Sequence, residues 1–171
     1  MKLGDREVSK WSLIMVVAGT FMFVSMFLNM VGVEMLGSRY GISGIDLLTG
    51  KFSIGFIEMD SESLSMIRYI PFISGVIGAA MTVVSVASIT TGTVENKGFM
   101  TALSILMTVT LLALVMFLLV GASIELFAGS AKNLLIGLDA TITPMYGIYI
   151  SIFSTFICGV AATYRMRECM Q

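Results

Sequence analysis

Three methionines, Met22, Met26 and Met30, recur at intervals of four in "MFVSMFLNM". On one helix they would stack a turn apart, and three thioethers in a row are soft donors of the kind that hold Cu(I). The same spacing also serves packing, because the unbranched methionine side chain fills irregular gaps. Methionine supplies 15 of the 171 residues and is scattered along the chain, which favours packing, so neither a metal nor a cofactor is expected. The rest of the chemical inventory is thin. The sequence has no histidine, which removes the commonest general base, metal ligand and pH switch together. Cys158 lies inside an apolar run and reads as a small packing residue; Cys169 follows Arg165 by four residues and reads as a free juxtamembrane thiol. "EMDSES" reads as a solvated turn, with Asp60 or Ser61 as a helix cap and Glu62 in the first turn. There is no phosphate loop, nucleophile elbow or zinc spacing, and no enzymatic activity is expected.

The elements that must position these residues are set by the solvent. Hydrophobic residues make up 57% of the chain and charged residues 12%, against about 25% charged in a soluble domain, so hydrocarbon is the expected solvent. Net charge is −1, which gives no basic field for nucleic acid. Four apolar runs of about 20 residues are long enough to cross a bilayer as helices: 11–33, 69–91, 99–122 and 144–164. The first follows Lys2, Arg6 and Lys10 and reads as an uncleaved signal-anchor. The expected fold is an all-α integral membrane protein, one domain over 1–171. It is an antiparallel four-transmembrane-helix bundle with a structured loop at 34–68 and a shorter one at 123–143. The tight turn "GTVENKG" is expected to make spans two and three antiparallel neighbours.

Orientation follows the distribution of basic residues. With a cytoplasmic N-terminus, Lys2, Arg6, Lys10, Lys97, Arg165 and Arg167 lie inside, and Arg39, Lys51, Arg68 and Lys132 lie outside. Six against four, with the six in much shorter segments, places both termini in the cytoplasm of a multi-pass protein of the cell membrane.

Each span shows two faces. The methionine arc of span one shares its side with Ala18, Gly19, Ser25 and Asn29. Span two carries a stripe containing Ser74, Gly75, Gly78, Thr82 and Ser85, and span four one containing Gly147, Ser151, Ser154 and Cys158. Small residues let helix backbones approach closely, so these stripes read as packing seams. Asn29 reads as an interhelical hydrogen-bonding amide. Span three is poorer in small residues and is expected to show the most surface to lipid.

The segment "GISGIDLLTGKFSIGF" (41–56) interrupts this pattern. Asp46 is placed to bond a nearby backbone N–H, and Phe52, Ile54 and Phe56 alternate at strand period. With Thr49, Gly50 and Lys51 as a turn, the segment reads as a small β-hairpin or an irregular outer cap that also includes Gly44.

Two resemblances bear on function. "MFVSMFLNM" resembles the M-x3-M of the copper importers that assemble as trimers, over nine residues only. Those importers have three spans and an outer N-terminus rich in methionine or histidine, which this sequence lacks. The layout of a large first and small second outer loop is similar to claudin-type four-span proteins, without the tryptophan and paired cysteines that mark their loop. The expected function is therefore a non-enzymatic membrane assembly or accessory subunit, contacting lipid and packing as a homo-oligomer or with other membrane-protein subunits. The alternative is a channel or small-solute transporter, copper least of all, with a path between helices 1, 2 and 4.

Overall fold

A computed structural model describes residues 2–3, 6–7, 9–59, 64–91, 97–121 and 123–168. Asp60, Ser61 and Glu62, most of the 92–98 turn, Ala122 and Cys169 lie outside the described residues. The described chain is mostly helical. In order, its elements are β1 (Lys2–Leu3), β2 (Arg6–Glu7), α1 (Lys10–Ser25), β3 (Asn29–Met35), β4 (Ser38–Ser43), α2 (Gly44–Thr49), β5 (Phe52–Ile54) and β6 (Ile57–Met59). Then come α3 (Ile70–Thr91), α4 (Lys97–Met116), α5 (Gly129–Gly137), β7 (Thr141–Pro144) and α6 (Tyr146–Glu168). Three helical stretches, Met66–Thr91, Gly98–Gly121 and Tyr146–Glu168, are long and apolar enough to cross a membrane.

The first apolar run is not one helix. α1 stops at Ser25, and residues 29–33, expected to continue it, form a strand. The local cause is visible in the hydrogen bonds. Ser25 Oγ donates to the Met22 carbonyl at 2.7 Å. The N–H groups of Met26, Phe27 and Leu28 then bond three residues back instead of four, which tightens and ends the helix. The Met26 carbonyl is taken by the Ile45 N–H at 3.1 Å. At 1.5 Å per residue, the 16 residues of α1 extend about 24 Å.

The principal helix contacts run α3–α1–α6–α4. α3 and α4, expected to be packed neighbours, barely touch, because α1 and α6 occupy the space between them. The tightest crossing is α1 on α3. A methyl added at Gly78 would lie 2.7 Å from the Gly19 carbonyl oxygen and 2.5 Å from Met22 Cβ, so the two backbones are in direct contact there.

The sheet continues the contact between α1 and α6. β3 leads out of α1 and β7 leads into α6, so two antiparallel helices become two antiparallel strands. β3 is the centre of a three-stranded sheet of order β4-β3-β7, with Val31 opposite Ile42 and Pro144, and Val33 opposite Tyr40 and Ile142. Pro144 ends an edge strand, where its missing N–H costs no ladder bond. β5 and β6 form a separate antiparallel pair. The sheet, α2, α5 and the end of α4 enclose one core that includes Met30, Val33, Leu47, Phe117, Phe127 and Leu135. A second core lies among the helices around Met15, Met22, Met81, Met107 and Cys158.

Candidate functional site

The helix seam holds most of the residues singled out from the sequence. Met22 packs its Cβ on Gly78, and Met26 lays its thioether on Gly75, where an added methyl would stand 2.6 Å from Sδ. Ser74 and Ser151 meet across α3 and α6, their buried hydroxyls 3.2 Å apart. Cys158 is fully buried among the methionines of the interhelical core.

Two expectations here need correction. Met30 is on β3, in the core under the sheet, so the three thioethers do not share a helix face and the one-turn spacing behind the copper reading stops at Met26. Asn29 opens β3 opposite Ser43 and does not lie within a span; its side chain sits beside Gly41, and its carbonyl is approached by Gly147. The volume between α1, α3 and α6 is filled by Met15, Met22, Met81 and Cys158.

The residues grouped as a cap form a helix and its ends, not a hairpin turn. Ser43 Oγ accepts the Asp46 N–H at 3.2 Å, and the Asp46 carboxylate accepts the Ser43 N–H at 2.9 Å and its hydroxyl at 2.7 Å. This reciprocal pair satisfies two of the free backbone donors at the start of α2. Gly50 ends the helix in the left-handed conformation at φ 65°, donating to the Asp46 carbonyl at 2.8 Å. Thr49 Oγ1 donates to the same carbonyl at 3.2 Å. Gly44 is buried against the Met26 carbonyl, and Lys51 is exposed. Asp46 is thus committed to its own helix. Replacing Ser43 with alanine should cost about 1 kcal/mol of local stability. Hydrogen exchange at Ile45–Leu48 should quicken while exchange within α3 stays unchanged.

Two further surfaces did not stand out in the sequence. At the sheet end, the β3–β4 turn places Leu36 at φ 51° with 70% of its surface exposed. The β5–β6 turn exposes Phe56 to 69%. The two turns are adjacent: a methyl added at Gly55 would lie 3.1 Å from the Tyr40 hydroxyl and 3.4 Å from Met35 Cε. At the opposite end, Trp11 stacks on Tyr164 with ring centroids 4.5 Å apart. Lys10 Nζ stands 5.1 Å from the Trp11 ring, and the Arg167 guanidinium 5.6 Å from the Tyr164 ring. Ser9 and Arg165 both bond Glu168, at 2.6 and 2.9 Å, tying the start of α1 to the end of α6.

No protein-family model, curated protein or solved structure matches this chain. The sites are therefore read from their own geometry. The Leu36–Gly37 turn had one legible signal, a glycine between two β-branched or aromatic stretches. Phe56 was expected to continue the strand alternation of Phe52 and Ile54, but β5 ends at Ile54 and Phe56 lies in the turn.

Proposed function

We propose that this chain is a non-enzymatic integral membrane subunit that crosses the bilayer four times and assembles with other membrane-protein subunits or copies of itself. Both termini and the Lys10–Arg167 end face the cytoplasm, as the basic residues favour. α3, α4 and α6 have the length and apolarity for crossing. α1 falls short as a helix alone, and the turn at Met26–Leu28 extends its reach to the sheet.

The observation that carries the assembly reading is the pair of apolar turn tips, Leu36 and Phe56. A branched side chain at positive φ costs about 1 kcal/mol or more, and Leu36 recovers none of it by burial. An asparagine or glycine would fill that position without strain. Strain retained at an exposed apolar tip, beside a second exposed aromatic tip, fits a surface that meets a partner. Among the described residues β4 is an edge strand of the three-stranded sheet.

Leu36→Asn separates the two consequences. It should raise the unfolding free energy by about 1 kcal/mol by relieving strain. It should also lower the fraction of oligomer or co-purified subunit in mild detergent. If that fraction is unchanged in Leu36→Asn and in Phe56→Ser, the tips play no part in assembly.

A further inference from the structure

The basic end of the molecule carries a groove that the assembly reading does not use. It lies between α4 and α6, has a volume of about 350 Å³, and is lined by Ser104, Thr108, Thr155, Gly159, Thr163 and Arg167, among others. Its hydroxyls look polar in the sequence but are already engaged. Ser104 and Thr163 bond each other at 2.9 Å; Thr108 donates to the Ser104 carbonyl at 3.0 Å, Thr155 to the Ser151 carbonyl at 2.7 Å and Thr163 to the Gly159 carbonyl at 2.9 Å. With these hydroxyls bonded within the helices, the apolar part of the lining comes from Met107, Leu111, Phe156 and Val160. Its walls therefore suit a hydrocarbon chain better than a hydrated solute.

The end of the groove is different. Arg167 is exposed there and forms no ion pair among the described residues, while its neighbour Arg165 is neutralised by Glu168 at 2.9 Å. A guanidinium has five N–H donors in a planar fork suited to phosphate oxygens. It stands at the Trp11–Tyr164 stack, and amphipathic aromatic rings favour the headgroup level of a bilayer. Lys10, on the Trp11 side of the stack, adds a second positive charge at the same level. A groove of bonded hydroxyls and apolar side chains that ends in a cation without an ion-pair partner among the described residues, at an aromatic shelf, matches one molecule that is apolar along its length and anionic at its head.

We propose that this groove binds a single anionic phospholipid, with an acyl chain between α4 and α6 and the headgroup phosphate on Arg167. The site rests on the membrane placement proposed above, and the experiment keeps the two apart. The full chain is expressed and fractionated first; recovery in the soluble fraction would defeat the membrane placement itself. Membrane-extracted protein is then examined by native mass spectrometry with phosphatidylglycerol and phosphatidylcholine of matched chains. The wild type should retain one phosphatidylglycerol with about a tenfold preference. Arg167→Gln should bring that preference close to one, Arg167→Lys should keep part of it, and Thr108→Phe should reduce retention of both lipids by obstructing the groove. Should Arg167→Gln fail to fold, competition on the wild type decides. Equal retention of the two lipids overturns the proposal, as does displacement of phosphatidylglycerol by millimolar inorganic phosphate, which would indicate a free-anion site. A lipid-free dimer cross-linked through Thr108 overturns it as well, since the groove would then hold a second copy's helix.

Discussion

Gly78→Ala is expected to destabilise the protein by about 2 kcal/mol. Overpacking a close contact costs about 3 kcal/mol. Alanine returns about 1 kcal/mol through its higher helix propensity. The overpacking cost should be near the top of its usual range because the obstacle at Gly78 includes backbone. The added methyl meets the Gly19 carbonyl oxygen at 2.7 Å and Met22 Cβ at 2.5 Å, and neither can swing away as a side-chain tip would. α1 and α3 must separate, which also removes the Met26 thioether from Gly75. Thermal or denaturant unfolding in detergent would measure the loss. Gly137→Ala is the control: nothing lies within 4 Å of a methyl there, so its effect should be zero or slightly stabilising. An equal loss in the two variants would mean that the α1–α3 crossing is not the tight contact described.

How much of this architecture was legible depended on which physical signal each segment carried. The small-residue seams were legible because close helix approach demands glycine or serine at fixed spacing. Gly75, Gly78, Ser74 and Ser151 all lie at helix contacts. The end of α1 was not legible. "MVGV" (30–33) continues the apolar run of the helix before it, and a buried central strand has no polar alternation to betray it. Its β-branched Val31 and Val33 around Gly32 were the available hint. β7 had a clearer one, since "TITP" alternates β-branched residues up to a proline, but the segment gains its role only by pairing with β3, some 110 positions away in sequence. Long-range pairing of this kind cannot be read from a local window. The order of helix contacts was hidden for the same reason, because a short connection keeps two helix ends together without making the helices pack.

The candidate sites show a similar division. Asp46 was recognisable as a backbone-bonding residue, and that bonding is what removes it from recognition: its oxygens already serve Ser43. Gly37 signals the turn but nothing in the sequence singles out Leu36, since its interest comes from a dihedral angle. The Lys10–Trp11–Tyr164–Arg167 cluster joins two ends of the chain, and each half alone reads as an ordinary flank of an apolar helix.

Phe117→Ala should have the larger effect, about 4 kcal/mol. The ring is fully buried in the core beneath the sheet, together with Leu114, Phe127 and Leu135. It occupies the first position of a π-helical turn, Phe117–Gly121, that closes α4. Gly121 leaves space for it, since a methyl there would stand 2.6 Å from the ring. Removing the ring leaves a cavity enclosed by cap and helix residues, which nothing nearby can fill. Met107→Ala on the same helix is the informative comparison. Met107 is as deeply buried but borders the α4–α6 groove, so lipid tails can replace part of what is lost. Its cost should be about half as large. The two variants should also differ in where the molecule loosens. Phe117→Ala should speed amide exchange in β3 and β7, at Val31, Val33 and Ile142, and leave the middle of α1 protected. Met107→Ala should leave the sheet protected. If Phe117→Ala instead loosened α1 and the sheet together, the cap and the helix layer would share a single cooperative core, and the separation of the Met30 and Met22 clusters would have no energetic meaning.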